Sequence, residues 1–75
     1  MDSKLEAAFE MAIKVKEFLG VSSFKVTLLV GFAEFVFSVS NVDIDSKLIE
    51  LVGSHRLFIF ADDGRVNIRI DVDLD

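Results

Sequence analysis

The residues from Phe24 to Ser40, FKVTLLVGFAEFVFSVS, constrain the fold of this chain more than any other stretch. Apolar residues occupy the even positions Phe24, Val26, Leu28 and Val30, then move to the odd positions Phe35, Phe37 and Val39. Side chains on a strand alternate between faces, so one unbroken strand cannot hold both sets on the same side. A reversal at Gly31-Phe32 restores a single apolar face, because glycine suits the first loop position of a type II′ turn. That turn pairs Phe24 with Val39, Val26 with Phe37, Leu28 with Phe35 and Val30 with Ala33, and leaves Phe32 exposed at the tip. A four-residue loop, Gly31 to Glu34, shifts the pairs by one step and keeps the same faces. Either way the stretch is a hairpin with one core face.

Ahead of it lies a helix. Ser3-Lys4-Leu5-Glu6 has the form of a capping box, and Gly20 stands where a left-handed residue ends a helix, with Val21 able to fold back. At about 100° per residue, Phe18, Met11, Val15, Ala8, Leu19, Ala12, Leu5, Phe9 and Ile13 form an apolar arc of roughly 220°. Lys16 alone interrupts it, and its stem can lie on apolar surface. Glu6, Glu10, Lys14 and Glu17 take the other side. A helix on one sheet needs a stripe little wider than ~100°, so this one has apolar surface in surplus.

After the hairpin, Asp45 or Ser46 can cap a short helix that buries Leu48, Leu51 and Val52 and ends at Gly53; an extended or turn-like segment is the alternative. Asp62-Asp63-Gly64 then signals a second hairpin. Its outgoing arm alternates without a break, with Val66, Ile68, Ile70, Val72 and Leu74 against Arg65, Asn67, Arg69, Asp71, Asp73 and Asp75. Its incoming arm, Leu57-Phe58-Ile59-Phe60, is apolar on both faces. A two-residue turn sets Leu57 and Ile59 beside Ile70 and Ile68, whereas a three-residue loop with a Gly64 bulge sets Phe58 and Phe60 there. Asp-Ser-Lys-Leu occurs at residues 2–5 and again at 45–48, each time ahead of a helix, a glycine and a hairpin. The order is that of a duplicated αββ unit.

These elements predict an α+β fold, αββαββ, as a single domain over residues 1–75. Two antiparallel hairpins share one four-stranded sheet, with a long and a short helix on one face.

Chemistry is sparse. The chain has no cysteine and one histidine, His55, which has no second histidine or thiolate to share a metal or a proton relay. Asn41-Val42-Asp43-Ile44-Asp45 and Asp71-Val72-Asp73-Leu74-Asp75 space oxygens at alternate positions. Counted from Asn41, however, Ser46 and Val52 stand where a calcium loop needs Gly and Glu. Ser22, Ser23 and Ser54 lie in connections without a base at a motif spacing. The expectation is therefore a non-enzymatic protein with no metal and no cofactor. The net charge of −5 argues against nucleic acid and anionic membranes. Residues 24–40 are too short to span a bilayer and contain Lys25 and Glu34. With no leader of basic and apolar residues at its start, the chain reads as cytoplasmic.

Composition supplies the function class. Hydrophobic residues make up 52% of the 75, and mean hydropathy is +0.51, so a core this small leaves apolar area outside it. The surplus predicts a structural or interaction module that self-associates, most simply as a homodimer, or that docks another protein. Met11, Val15 and Phe18 on the helix flank, with Leu57, Phe58, Ile59 and Phe60 on the third strand, are the candidate contacts. Pairing through the fourth strand is disfavoured, since Asp71, Asp73 and Asp75 would repel their copies. Two other readings compete. One is a de novo designed or redesigned chain without an evolved function, because every cap and turn agrees with one plan and Pro, Cys, Trp and Tyr are all absent. The other is a carrier of a small apolar ligand among the eight Phe.

Overall fold

The computed structural model describes residues 3–41 and 45–75. Helix α1 covers Ser3–Leu19, strands β1 and β2 cover Lys25–Leu29 and Phe32–Val39, helix α2 covers Ser46–Val52, and strands β3 and β4 cover Arg56–Asp62 and Arg65–Asp73. The strands form one antiparallel sheet in the order β1-β2-β4-β3. The fold is thus the α+β αββαββ arrangement that the sequence predicts. The fourth strand lies inside the sheet, not at its edge.

One sheet face is apolar throughout. Phe35 faces Ile70, Phe37 faces Ile68, Ala33 faces Val72 and Val39 faces Val66 across the β2–β4 seam. Both helices pack on this face, since Ala8, Met11, Ala12, Val15, Leu48 and Val52 share one buried cluster with those strand residues. Aromatic rings fill the layer: Phe9 meets Phe35 edge-on at 5.4 Å, and Phe24 lies 5.1 Å from Phe37.

Helix α1 starts at Ser3, so the position before it is Asp2, which lies outside the described residues. Ser3 is itself helical, and so is not the residue ahead of the helix that the capping box at Ser3–Glu6 requires. The other end is as expected. Gly20 N–H donates to Lys16 and Glu17 at 3.0 and 3.2 Å, Val21 N–H donates to Lys16 at 3.3 Å, and the Val21 side chain joins the core. Helix α2 is a true helix: the Asp45 carboxylate accepts from Lys47 and Leu48 N–H at 2.9 and 3.1 Å. Leu48 and Val52 are buried, and Leu51 is half-buried.

The first hairpin turns one residue earlier than the pattern implies. Leu29 pairs with Phe32, Leu28 with Ala33 and Val26 with Phe35, so the loop is Val30-Gly31. Gly31 takes φ +82° at the second loop position, where a type II turn needs a positive value, and not the first as in type II′. The faces survive because the register moves by two residues. The reason for the shift lies outside the hairpin: an early turn lets β2 run from Phe32 and match β4 as far as Asp73. Leu74 N–H then donates to Gly31 C=O at 2.9 Å. Phe32 consequently sits within the sheet, and Val30 is the exposed tip. In the second hairpin Asp62 pairs with Arg65, and the two-residue loop Asp63-Gly64 has φ of +55° and +77°. Two positive values are the type I′ signature, which selects Leu57 and Ile59 for the core face and sends Phe58 and Phe60 outward.

The αββ arrangement occurs twice, in a register that differs from the Asp-Ser-Lys-Leu match. Strand order β1-β2-β4-β3 maps onto itself when the two hairpins exchange. The two turn glycines, Gly31 and Gly64, and the two helix-ending glycines, Gly20 and Gly53, are both thirty-three positions apart. At that spacing Phe35 matches Ile68 and Phe37 matches Ile70, and the pair Phe35–Ile70 becomes Phe37–Ile68. Helix α2 therefore corresponds to the last two turns of α1.

Two substitutions test this packing. Phe35→Ala removes a fully buried ring from the seam and lowers unfolding free energy by about 3–5 kcal/mol in urea denaturation. Gly64→Ala forces a side chain into the left-handed region and lowers it by about 1–2 kcal/mol, with no change in the core.

Candidate interaction surface

Among the described residues no helix covers the other face of the sheet. Alternation places Lys25, Thr27 and Leu29 of β1 there, with Phe32, Glu34, Val36 and Ser38 of β2. From the second hairpin come Asn67, Arg69, Asp71 and Asp73, together with Arg56, Phe58, Phe60 and Asp62. Its centre is an ion-pair network. Arg69 donates to both oxygens of Asp71, at 3.1 and 2.9 Å, and Glu34 lies 3.6 Å from the same guanidinium. Asp71 is only 2% exposed although it points away from the helices, so its charge is desolvated and Arg69 must answer it. The hydrogen bond to Asp71, and the nearby carboxylates, hold the Arg69 pKa above the usual arginine value against the opposing effect of burial. Two arginines lie on aromatic rings: Arg69 is 4.7 Å from the Phe58 centroid, and Arg56 is 5.5 Å from Phe32. Arg56 also binds Asp73 at 3.0 Å. The alternating aspartates of β4 are in this way held by neighbouring arginines. Among the described residues no group of three or more His, Cys, Asp or Glu could hold a metal ion. Asp43, in the other aspartate run, lies outside the described residues.

The candidate contacts separate into two sets. Met11 and Val15 are 9% and 0% exposed, inside the core of the single chain. The arc on α1 is wide because that helix has two partners, the sheet and α2, which packs beside it. This corrects the expectation that the wide arc is surplus to the fold and that Met11 and Val15 are contacts for a second chain. Only the two ends of the arc are exposed, Phe18 at one and Ile13 at the other. Leu57 is half-buried on the core face. Phe58, Ile59 and Phe60 are 42%, 37% and 43% exposed, three consecutive apolar residues on an edge strand. Exposed Leu28, Leu29 and Val30 on the opposite edge and Ile49 on α2 were not singled out from the sequence. For Leu28 and Val30 the hairpin pattern misleads: the shifted turn takes Val30 out of the ladder, and sets Leu28 opposite the small Ala33 instead of Phe35.

An open groove of about 860 Å³ runs past the start of β1. It is lined by Ser22, Ser23, Phe24, Lys25, Ser38 and Arg65, among others. Arg65 donates to the Ser38 hydroxyl at 2.7 Å and to its carbonyl at 3.1 Å, joining β4 to the end of β2. His55 is half-buried in the α2–β3 connection, where its N–H donates to Val52 C=O at 3.4 Å. Among the described residues no helix is long and apolar enough to cross a membrane.

The two ion pairs differ in what they support. Asp71→Ala strips Arg69 of its bidentate partner and lowers the urea midpoint clearly, whereas Arg56→Ala removes an exposed pair and leaves it within error.

The chain matches no protein-family model, and no curated protein or solved structure is detectably similar to it.

Proposed function

We propose that this chain is a non-enzymatic interaction module that self-associates, as a homodimer, through apolar surface left outside its core. One observation carries the reading: Phe58, Ile59 and Phe60 are consecutive and exposed on a strand whose outer edge has no partner among the described residues. Two further features support it. Apolar patches of this kind on a small domain mark interaction sites, and an unpaired strand edge is itself a template for another strand. The phenylalanines Phe9, Phe24, Phe35 and Phe37 pack on one another in the core layer, which favours this reading over a ligand carrier.

Light scattering behind a sizing column tests the proposal. At high micromolar concentration the expected mass is that of two chains, and a mass of one chain overturns it. Phe60→Glu, on the exposed strand, shifts the mass to one chain while the circular dichroism spectrum is kept. Glu10→Lys, on the polar side of α1, leaves the dimer intact.

A further inference from the structure

Resting on that reading, we infer that the occupant of the edge is a second copy of this chain, and that two β3 strands pair antiparallel about a two-fold axis at Ile59.

The first ground is backbone geometry. A two-residue hairpin makes Asp62 and Arg65 the hydrogen-bonded pair, so the N–H and C=O groups of residues 58, 60 and 62 point toward β4. Those of Leu57, Ile59 and Ala61 point out from the edge. Six of seven β3 residues are exposed, so no other part of the described chain covers them.

The second ground is charge. Strand β3 reads Arg-Leu-Phe-Ile-Phe-Ala-Asp, with a cation at its first position and an anion at its last. Turned about Ile59, the strand opposes Arg56 to Asp62 of the second copy, and Asp62 to its Arg56. Phe58 meets Phe60, Leu57 meets Ala61, and Ile59 meets itself. This two-fold register matches both charges and uses the whole strand. It also joins outward N–H and C=O groups to one another, as an antiparallel ladder requires. Asp62 is available for the role: it has no ion-pair partner among the described residues, and its neighbour Arg65 turns to Ser38. Arg56 holds Asp73 with one nitrogen, and its remaining donors can serve a second carboxylate. The other edge strand, β1, carries Lys25 and no carboxylate, so pairing it with its own copy matches no charge. The β3 junction instead yields one eight-stranded sheet with all helices on the same face.

Charge reversal tests the register. Arg56→Glu alone opposes two carboxylates at both ends of the junction, and Asp62→Arg alone opposes two guanidinium groups. Each variant is expected to raise the dimer dissociation constant by about tenfold or more. An equimolar mixture of the two restores both opposite-charge pairs, and heterodimer forms near wild-type affinity. Sedimentation of each variant and of the mixture reads all three states, with circular dichroism confirming the fold. If the single variants dimerise like the wild type, or if mixing restores nothing, the β3 register is overturned while self-association stands. A wild-type chain that sediments as a monomer overturns both, and one that grows beyond two chains overturns the closed two-fold junction.

Discussion

The β2–β4 seam carries the structure. Each hairpin alone is a two-stranded ribbon, and such ribbons are marginal in water. Joining them at the strands Phe32–Val39 and Arg65–Asp73 creates a face wide enough to support both helices. Phe35, Phe37, Ile68 and Ile70 meet across this seam and are wholly buried. The seam also accounts for the early turn of the first hairpin. A type II turn is not the one that a two-residue hairpin favours, yet it lets the ladder with β4 extend to Phe32–Asp73. Long-range pairing outweighs local turn preference.

The same seam relates two similar halves. Hairpins that exchange under a two-fold rotation, with glycines at equal spacing, make the domain resemble a dimer closed within one chain. The halves differ in what they add. The first contributes a long helix and an aromatic layer, and the second a short helix and the charges of the open face. Arg56, Arg69, Asp71 and Asp73 all belong to the second half, with Glu34 the one acidic contribution from the first.

The open face shows how a sheet with one covered side tolerates water on the other. Its inner strands carry ion pairs, and its arginines lie over Phe32 and Phe58, covering ring faces that would otherwise be wetted. That protection stops short of the β3 edge, where Phe60 has no such cover. Natural sheets guard edges with charges, bulges or short strands, and β3 has charge only at its ends.

The elements were legible in the sequence because they rest on local rules. Alternation set the faces of both hairpins, Gly20 and Gly53 closed the helices, and Asp63-Gly64 marked its turn. What the tertiary structure alone decided was everything that depends on a partner distant in sequence. The position of the first turn was set by β4, not by Gly31. The wide arc of α1 read as surplus, since no local pattern reveals that α2 packs beside α1. The exposed residues of β3 were found as a set, Leu57 to Phe60, but which of them face outward waited on the Asp63-Gly64 loop length. Strand order was likewise undetermined: alternation says which side of a strand is buried, and says nothing of which strands lie beside it. Period and capping are properties of a few neighbouring residues, whereas edge, seam and coverage are properties of the assembled sheet.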